Sequence, residues 1–287
     1  METLGFALRD IAHGISFTGQ MAALLHKSGE RPNAPSDHNP KPCMGKITFE
    51  GVTFSYTPGF PVLKDISFTV YPGKTLAVVG PSGSGKSSLV RLIFRLFEID
   101  SGLILIDDTP LADIPLAQLR KTVAVVPQDT ILFHDTIACN IAIGKPGCAP
   151  GEMIDAAKLA HLHNSITAMP EGYQTIVGER GLKLSGGEKQ RISIARAILK
   201  KPRIFIFDET TSSLDITTEK KILENLIGIS TNTTTLMIAH RMSTVIHADE
   251  ILVLDCGKIV ERGNHLSLLK KDGCYAAMWR AQQKAEP

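Results

Sequence analysis

Gly80-Pro81-Ser82-Gly83-Ser84-Gly85-Lys86-Ser87 decides the fold. The stretch fills every fixed position of the phosphate-binding pattern G-x-x-x-x-G-K-[ST]. Before it, Thr75-Leu76-Ala77-Val78-Val79 reads as a buried strand. After it, Ser88-Leu89-Val90-Arg91-Leu92-Ile93-Phe94 reads as an amphipathic helix. Gly80, Gly83 and Gly85 reach backbone angles that bulkier residues resist. Successive N–H groups can therefore turn inward around a phosphate, and the helix adds the positive end of its dipole. In this pattern Lys86 reaches the β- and γ-phosphates and the Ser87 hydroxyl ligates Mg²⁺. A plain Gly/Ser turn would call for neither residue.

Downstream, Leu103-Ile104-Leu105-Ile106-Asp107 and Val123-Ala124-Val125-Val126 read as strands, the second ending at Pro127-Gln128. A glutamine amide offers both donor and acceptor, so Gln128 can orient a water or a metal. From Asp129 to Leu182 the pattern is mostly helical. Leu184-Ser185-Gly186-Gly187-Glu188-Lys189-Gln190-Arg191 comes next. Ser185 and Glu188 form an S-x-x-E capping box, so a helix starts there. A capped helix needs no glycine pair, because glycine is poor inside a helix unless something approaches closely. Gly186 and Gly187 leave bare N–H groups at a helix start, where an anion is the natural occupant.

Ile204-Phe205-Ile206-Phe207-Asp208-Glu209 reads as a buried central strand with two acids at the end where open α/β sheets hold ligands. Asp208 suits a Mg²⁺ role, and Glu209 is the candidate base for an attacking water. A further strand, Thr234–Ala239, ends at His240, which is placed to contact a γ-phosphate. The chain closes with strands Ile251–Asp255 and Lys258–Glu261, joined by a turn at Cys256-Gly257, and a helix bearing Tyr275 and Trp279.

Upstream of the phosphate loop the period switches to two: Ile47 and Phe49, then Val52, Phe54 and Tyr56, then Ile66, Phe68 and Val70. Gly51, Pro58-Gly59 and Pro72-Gly73 supply turns, so this is an antiparallel sheet. Tyr56 is either one more aromatic on a strand face or a platform for an adenine ring, worth about 1–3 kcal/mol by analogy with base stacking. Residues 28–45 carry four prolines and read as an extended linker. Residues 1–27 read as an amphipathic helix, with Leu8, Ile11, Ala12, Ile15 and Gly19 at helical spacing.

Bulk composition narrows the class. A net charge of +2 over 287 residues demands no nucleic-acid partner. No apolar run is long enough to span a membrane, and no signal-peptide pattern opens the chain. Five scattered cysteines without a C-x-x-C pair argue against a disulfide framework or zinc site. His161 and His163, two apart, point to different faces if helical, as ordinary histidines do.

In this order, the motifs resemble the nucleotide-binding domain of ABC transporters from about Lys46 to the C-terminus. Leu184–Glu188 is that superfamily's signature. The implied fold is α/β, a P-loop NTPase with a mixed central sheet, an antiparallel β subdomain and an inserted helical subdomain at about 129–200, within a domain of residues 46–287. The resemblance makes Gly80, Pro81, Ser82, Gly83, Ser84, Gly85, Lys86, Ser87 and Ser88 the Walker A contacts to ATP, with Ser87, Gln128 and Asp208 at Mg²⁺. Tyr56 matches the aromatic against adenine, Gln128 the Q-loop, Asp208 the Walker B aspartate and Glu209 the catalytic glutamate. Ser213-Leu214-Asp215 matches the D-loop and His240 the switch histidine. Two small departures, Ser213 and Thr210 where alanine is common, remove no group the site needs.

In that family two domains pair head to tail, each ATP lying between one Walker A loop and the partner's Ser185, Gly186, Gly187 and Glu188. A homodimer, or a pair with a related half-transporter, is implied. Val177-Gly178-Glu179-Arg180-Gly181 looks like the segment of exporter-type domains that touches transmembrane coupling helices. Val126–Phe133 and Leu4–Ile11 look like half-transporters of the heavy-metal-tolerance and mitochondrial iron–sulfur-linked group. Residues 1–27 would then be the end of a last transmembrane helix. The expectation is an ATPase motor for an exporter, on the cytoplasmic or matrix face of a membrane, joined to a transmembrane domain in the same or a separate chain. The group suggests glutathione or metal–thiol conjugates as cargo, with drugs or lipids as the alternative. Chromosome-maintenance ATPases of the superfamily insert long coiled-coil arms. Only roughly 100 residues without sustained heptads separate Lys86 from Ser185. A regulator without turnover would have no use for Glu209, Gln128 and His240 together.

Overall fold

The computed structural model describes residues 13–15, 17–19, 21–22, 43–178, 181–208, 233–239 and 242–285. The chain divides into two compact units, Met1–Asp37 and His38–Pro287. In the first unit the described residues are helical and exposed, and the Thr18 hydroxyl donates to the Gly14 carbonyl at 2.8 Å. Leu4–Ile11 lies outside the described residues.

The second unit runs β1 (Ile47–Ser55), β2 (Pro61–Val70), β3 (Thr75–Val79), α1 (Lys86–Ile93), β4 (Ser101–Ile106), β5 (Thr109–Pro110), α2 (Leu116–Thr122) and β6 (Val123–Val126). It continues with β7 (Asp135–Thr136), α3 (Ile137–Ala142), α4 (Pro150–Leu159), α5 (His163–Thr167), β8 (Ile176–Val177), α6 (Gly186–Leu199) and β9 (Ile204–Asp208). Last come β10 (Thr234–Ile238), α7 (Met242–Val245), β11 (Glu250–Asp255), β12 (Lys258–Gly263), α8 (His265–Lys271) and α9 (Cys274–Ala285).

Two larger sheets organise the unit. The antiparallel one has the order β2-β1-β4-β5, and the six-stranded one has the order β12-β11-β3-β10-β9-β6. In the second sheet β11, β3, β10, β9 and β6 are mutually parallel and only β12 is antiparallel, which gives the expected mixed sheet. Both faces of its parallel strands are buried, so their sequences are unbroken apolar runs. Side chains alternate between faces, and three cores follow from that alternation. Leu76 and Val78 of β3, Ile204 and Ile206 of β9, and Leu252 and Leu254 of β11 join α1 and the antiparallel sheet in one core. Phe205 and Phe207 face the other way, into a core built from α3, α4, α5 and α6. Ala77, Val79, Ile251 and Val253 meet Met242, Val245, Leu268 and Tyr275 in the third. Each large apolar side chain buried in these cores contributes about 1.5–3 kcal/mol.

The structure departs from the sequence reading in four places. Ile204–Asp208 is one strand in from the edge, beside β6, and its apolar run reflects burial on two faces rather than a central position. The strand at Leu103 belongs to the antiparallel sheet, and Asp107 turns out of it with φ 49° to accept N–H groups of Met44, Gly45 and Lys46. Residues 129–182 carry a two-stranded ribbon, β7 with β8, as well as helices. The helix bearing Tyr275 and Trp279 is present as α9, and a second helix that the sequence reading missed, α8, precedes it and ends at Asp272, whose φ is 53°. His161 and His163 share no helix: His161 sits in a turn at φ 50°, and His163 opens α5 with Nδ1 3.0 Å from the Tyr173 hydroxyl. The five cysteines are unpaired. Among the described residues no helix is long and apolar enough to cross a membrane.

Candidate nucleotide site

Parallel strands deliver their ends to one edge of a sheet. Val78 of β3 is in register with Ile238 of β10, Ile238 with Asp208 of β9, and Phe207 with Val126 of β6. The phosphate loop after β3, Asp208 and Gln128 after β6 therefore emerge at one edge of the sheet, with β10 between the first two and neighbouring strands about 4.8 Å apart. Asp208 is half-buried and Gln128 exposed. Glu209, His240 and Ser213-Leu214-Asp215 lie outside the described residues, as do Glu179 and Arg180.

Within the loop the three glycines do different work. Gly80 has φ 153°, and a Cβ there would stand 2.0 Å from the Leu254 carbonyl oxygen of β11. At Gly85, φ 105°, a Cβ would meet a Leu63 methyl at 2.7 Å. Gly83 also has a positive φ, 78°, but open space lies where its side chain would be. The sequence reading gave all three to the phosphate. Gly80 and Gly85 also let the loop lie against β11 and β2, and Gly83 keeps the mouth clear. The hairpin turn at Cys256-Gly257, with φ 46° and 78°, braces the loop from behind, because the Gly257 N–H donates to the Ser84 carbonyl at 3.2 Å.

Lys86 is 5% exposed and its ammonium donates to the carbonyls of Gly80 and Pro81 at 2.8 and 2.9 Å. Those bonds hold the charge over the loop. Pro81, Ser82 and Gly83 are exposed, Ser87 is half-buried, and no side chain caps α1 at its Gly85 start. The first N–H groups of a helix have no acceptor within it, so the loop offers uncapped donors beside a buried cation. Ser87, Gln128 and Asp208 supply hydroxyl, amide and carboxylate oxygens, a hard donor set that fits Mg²⁺ and leaves room for water and phosphate ligands.

Tyr56 lies just past β1 and is 43% exposed. Its hydroxyl is 3.0 Å from Ser88 Oγ, and Arg91 Nη1 donates to it at 3.0 Å. The second glycine-rich helix start is built as its capping box requires. The Ser185 hydroxyl accepts the Glu188 N–H at 3.3 Å, and Glu188 accepts the N–H and O–H of Ser185 at 2.9 and 2.8 Å. Gly186 is exposed and Gly187 half-buried. Helix α6 packs on the Phe205/Phe207 face of β9, whereas α1 packs on the Ile204/Ile206 face.

Two features escaped sequence reasoning. One is the pair of α1 side chains holding Tyr56. The other is a clasp between α6 and the segment after Gln128. Arg196 donates to the Asn140 carbonyl at 2.6 Å, to Asn140 Oδ1 at 2.7 Å and to the Ile131 carbonyl at 3.0 Å. Asn140 is fully buried and donates in turn to the carbonyls of Phe133 and Thr136 at 3.0 Å. Burial pulls the Arg196 guanidinium below its usual value. An arginine among the apolar residues of α6 was the one available signal.

The ABC transporter family profile matches residues 63–212, about half of the chain. The human protein "ATP-binding cassette sub-family B member 6" is 54% identical over 242 residues, which cover 84% of this chain and 29% of that one. The "ATM1-type heavy metal exporter" of Novosphingobium aromaticivorans is 45% identical over 289 residues, covering 100% of this chain and 47% of that one. This chain thus spans less than half the length of either relative. Among solved structures, that of a bacterial Atm1-family ABC exporter with ATP bound superposes with a TM-score of 0.88 at 44% identity, covering 97% of this chain and 49% of that one. The chain belongs to the ABC transporter family, and the part it supplies is that family's ATP-binding domain.

Proposed function

We propose that this chain is the ATP-hydrolysing motor of an exporter half-transporter, working as a dimer that closes around two ATP molecules. One observation carries the reading. The two glycine-rich helix starts ride on opposite faces of the six-stranded sheet, α1 on one and α6 on the other. A nucleotide on the phosphate loop then has the Ser185–Glu188 turn of a second chain as its natural cover.

Each residue has a role. Backbone N–H groups from Gly80 to Ser88 and the Lys86 ammonium bind the phosphates and hold charge where it develops. Tyr56 supports the base. Ser87, Gln128 and Asp208 hold Mg²⁺, which when bound neutralises β- and γ-phosphate oxygens. Glu209 accepts a proton from the attacking water, and His240 donates to the γ-phosphate. From the partner, the Ser185 hydroxyl and the N–H groups of Gly186 and Gly187 complete the enclosure. Closing and reopening of the dimer moves the helices of a transmembrane domain, in the same or a separate chain. By its sequence the Glu179-Arg180 segment, together with exposed Ile131 and Phe133, is what we assign to them. Cargo of the glutathione or metal–thiol class fits the relatives, one of which is a heavy metal exporter by name. On this reading the domain sits at the cytoplasmic or matrix face of a membrane.

The test is the Mg²⁺-dependent hydrolysis rate per chain across a range of chain concentrations. A rate per chain that climbs and saturates is expected. One that stays constant throughout, with ATP saturating, contradicts the shared site.

A further inference from the structure

Tyr56 is held from α1 by two side chains, at Ser88 and Arg91. They are three residues apart and so share one helical face. Ser88 is 5% exposed, and a buried hydroxyl needs a partner. Its partner is the Tyr56 phenol, 32 residues away in sequence. Arginine only donates, so the phenol oxygen accepts from Arg91, and in its bond with Ser88 Oγ either hydroxyl can donate. The guanidinium carbon also lies 5.7 Å from the ring centroid, within cation–π reach. Phe54 and Phe97 stand nearly perpendicular to the ring, at centroid distances of 4.8 and 5.0 Å and angles of 79° and 89°. The ring is thereby fixed at its oxygen by α1 and at its sides by aromatics, with 43% of the residue still exposed.

We propose that Ser88 and Arg91 are positioning residues for the base platform, a role that rests on the nucleotide reading above. The helix that starts at Lys86 grips Tyr56 by its phenol oxygen. It thereby sets the span between the ring that receives the base and the loop that receives the phosphates. A phenylalanine at position 56 would stack as well, but it would have to be ordered each time a base arrives, and that ordering weakens binding.

The experiment titrates the full chain with MgATP and, separately, with magnesium tripolyphosphate, which carries phosphates and no base. Tyr56→Phe and Arg91→Met are each expected to weaken ATP about three- to ten-fold, the size of one net hydrogen bond, and to leave tripolyphosphate binding unchanged. The double variant should be no weaker than Tyr56→Phe alone, because the phenylalanine already lacks the bond that Arg91 makes. Arg91→Lys, which restores a cationic donor, should recover ATP binding. Unchanged tripolyphosphate affinity also shows that the loop is still folded. Parental ATP affinity in the single variants overturns the proposal. So does an equal loss of both ligands, or losses that multiply in the double variant. If the parent binds neither ligand, the nucleotide reading itself falls. If it binds both and the variants match it, only the positioning role falls.

Discussion

The helices at Lys86 and at Gly186 both start on glycine-rich turns, and their first turns are finished in opposite ways. Helix α1 has no side-chain cap, begins at a left-handed Gly85, and sets a buried lysine under the loop. Helix α6 caps itself through Ser185 and Glu188 and leaves its glycines toward solvent. A helix start that lacks a cap of its own is completed by its ligand. A self-capped start is stable alone, and what its glycines present is surface for something brought by another body. That contrast separates a phosphate cradle from a cover.

Variants of the two turns should break or sharpen the contrast. The largest effect is expected at the cradle. Lys86→Ala should lower hydrolysis at saturating MgATP by about 100-fold or more, the size of a lost transition-state donor, as read by phosphate release. A smaller and more diagnostic effect compares two glycines of the same loop. Gly80→Ala drives a methyl into the Leu254 carbonyl and should cost about 3 kcal/mol or more by urea unfolding. Gly83→Ala meets open space and should cost only the left-handed backbone penalty of about 1–2 kcal/mol. Equal losses would mean the loop is not braced by β11. At the cover, Ser185→Ala should remove about 1 kcal/mol of capping energy, measurable by hydrogen exchange in α6, and should lower hydrolysis only where chains associate.

The smallest effect concerns the helices around α6. Hydrogen bonds from Lys145 and then Lys201 hold the Glu152 carboxyl down to about 2, from an ordinary 4.5. The folded value lies below the unfolded one, so the ionised form is the stabilised one. That contribution is complete above about pH 4.5 and fades as pH falls toward about 2. Thermal midpoints of the parent should drop in that window slightly more than those of Glu152→Gln, and added salt should narrow the gap.

Much of this was legible in the sequence. The phosphate loop, the capping box and the acid-ended strand announce themselves by fixed local spacing, and the structure brings the phosphate loop, Asp208 and Gln128 to one edge of the parallel sheet. What was not legible depends on pairing at a distance. Leu103 reads as a strand, but nothing local says that β4 pairs with β1 rather than with the parallel sheet. Strands β7 and β8 are two residues each, too short for any period to show. That Gly80 and Gly85 also make room for Leu254 and Leu63 shows only once the chain is folded. Arg196 meets Asn140 across 56 residues, a separation no motif encodes.

The central claim is that the cradle of one chain works with the cover of another, and mixing tests it most directly. Lys86→Ala leaves the cover intact, and a bulky Ser185→Arg leaves the cradle intact. Each variant alone should be nearly inactive. If the site is shared, a mixture forms pairs with one sound cradle facing one sound cover, and hydrolysis should rise well above the sum of the two components. If the mixture only reaches that sum while the two variants are shown to associate, cradle and cover do not meet across chains, and the account is wrong.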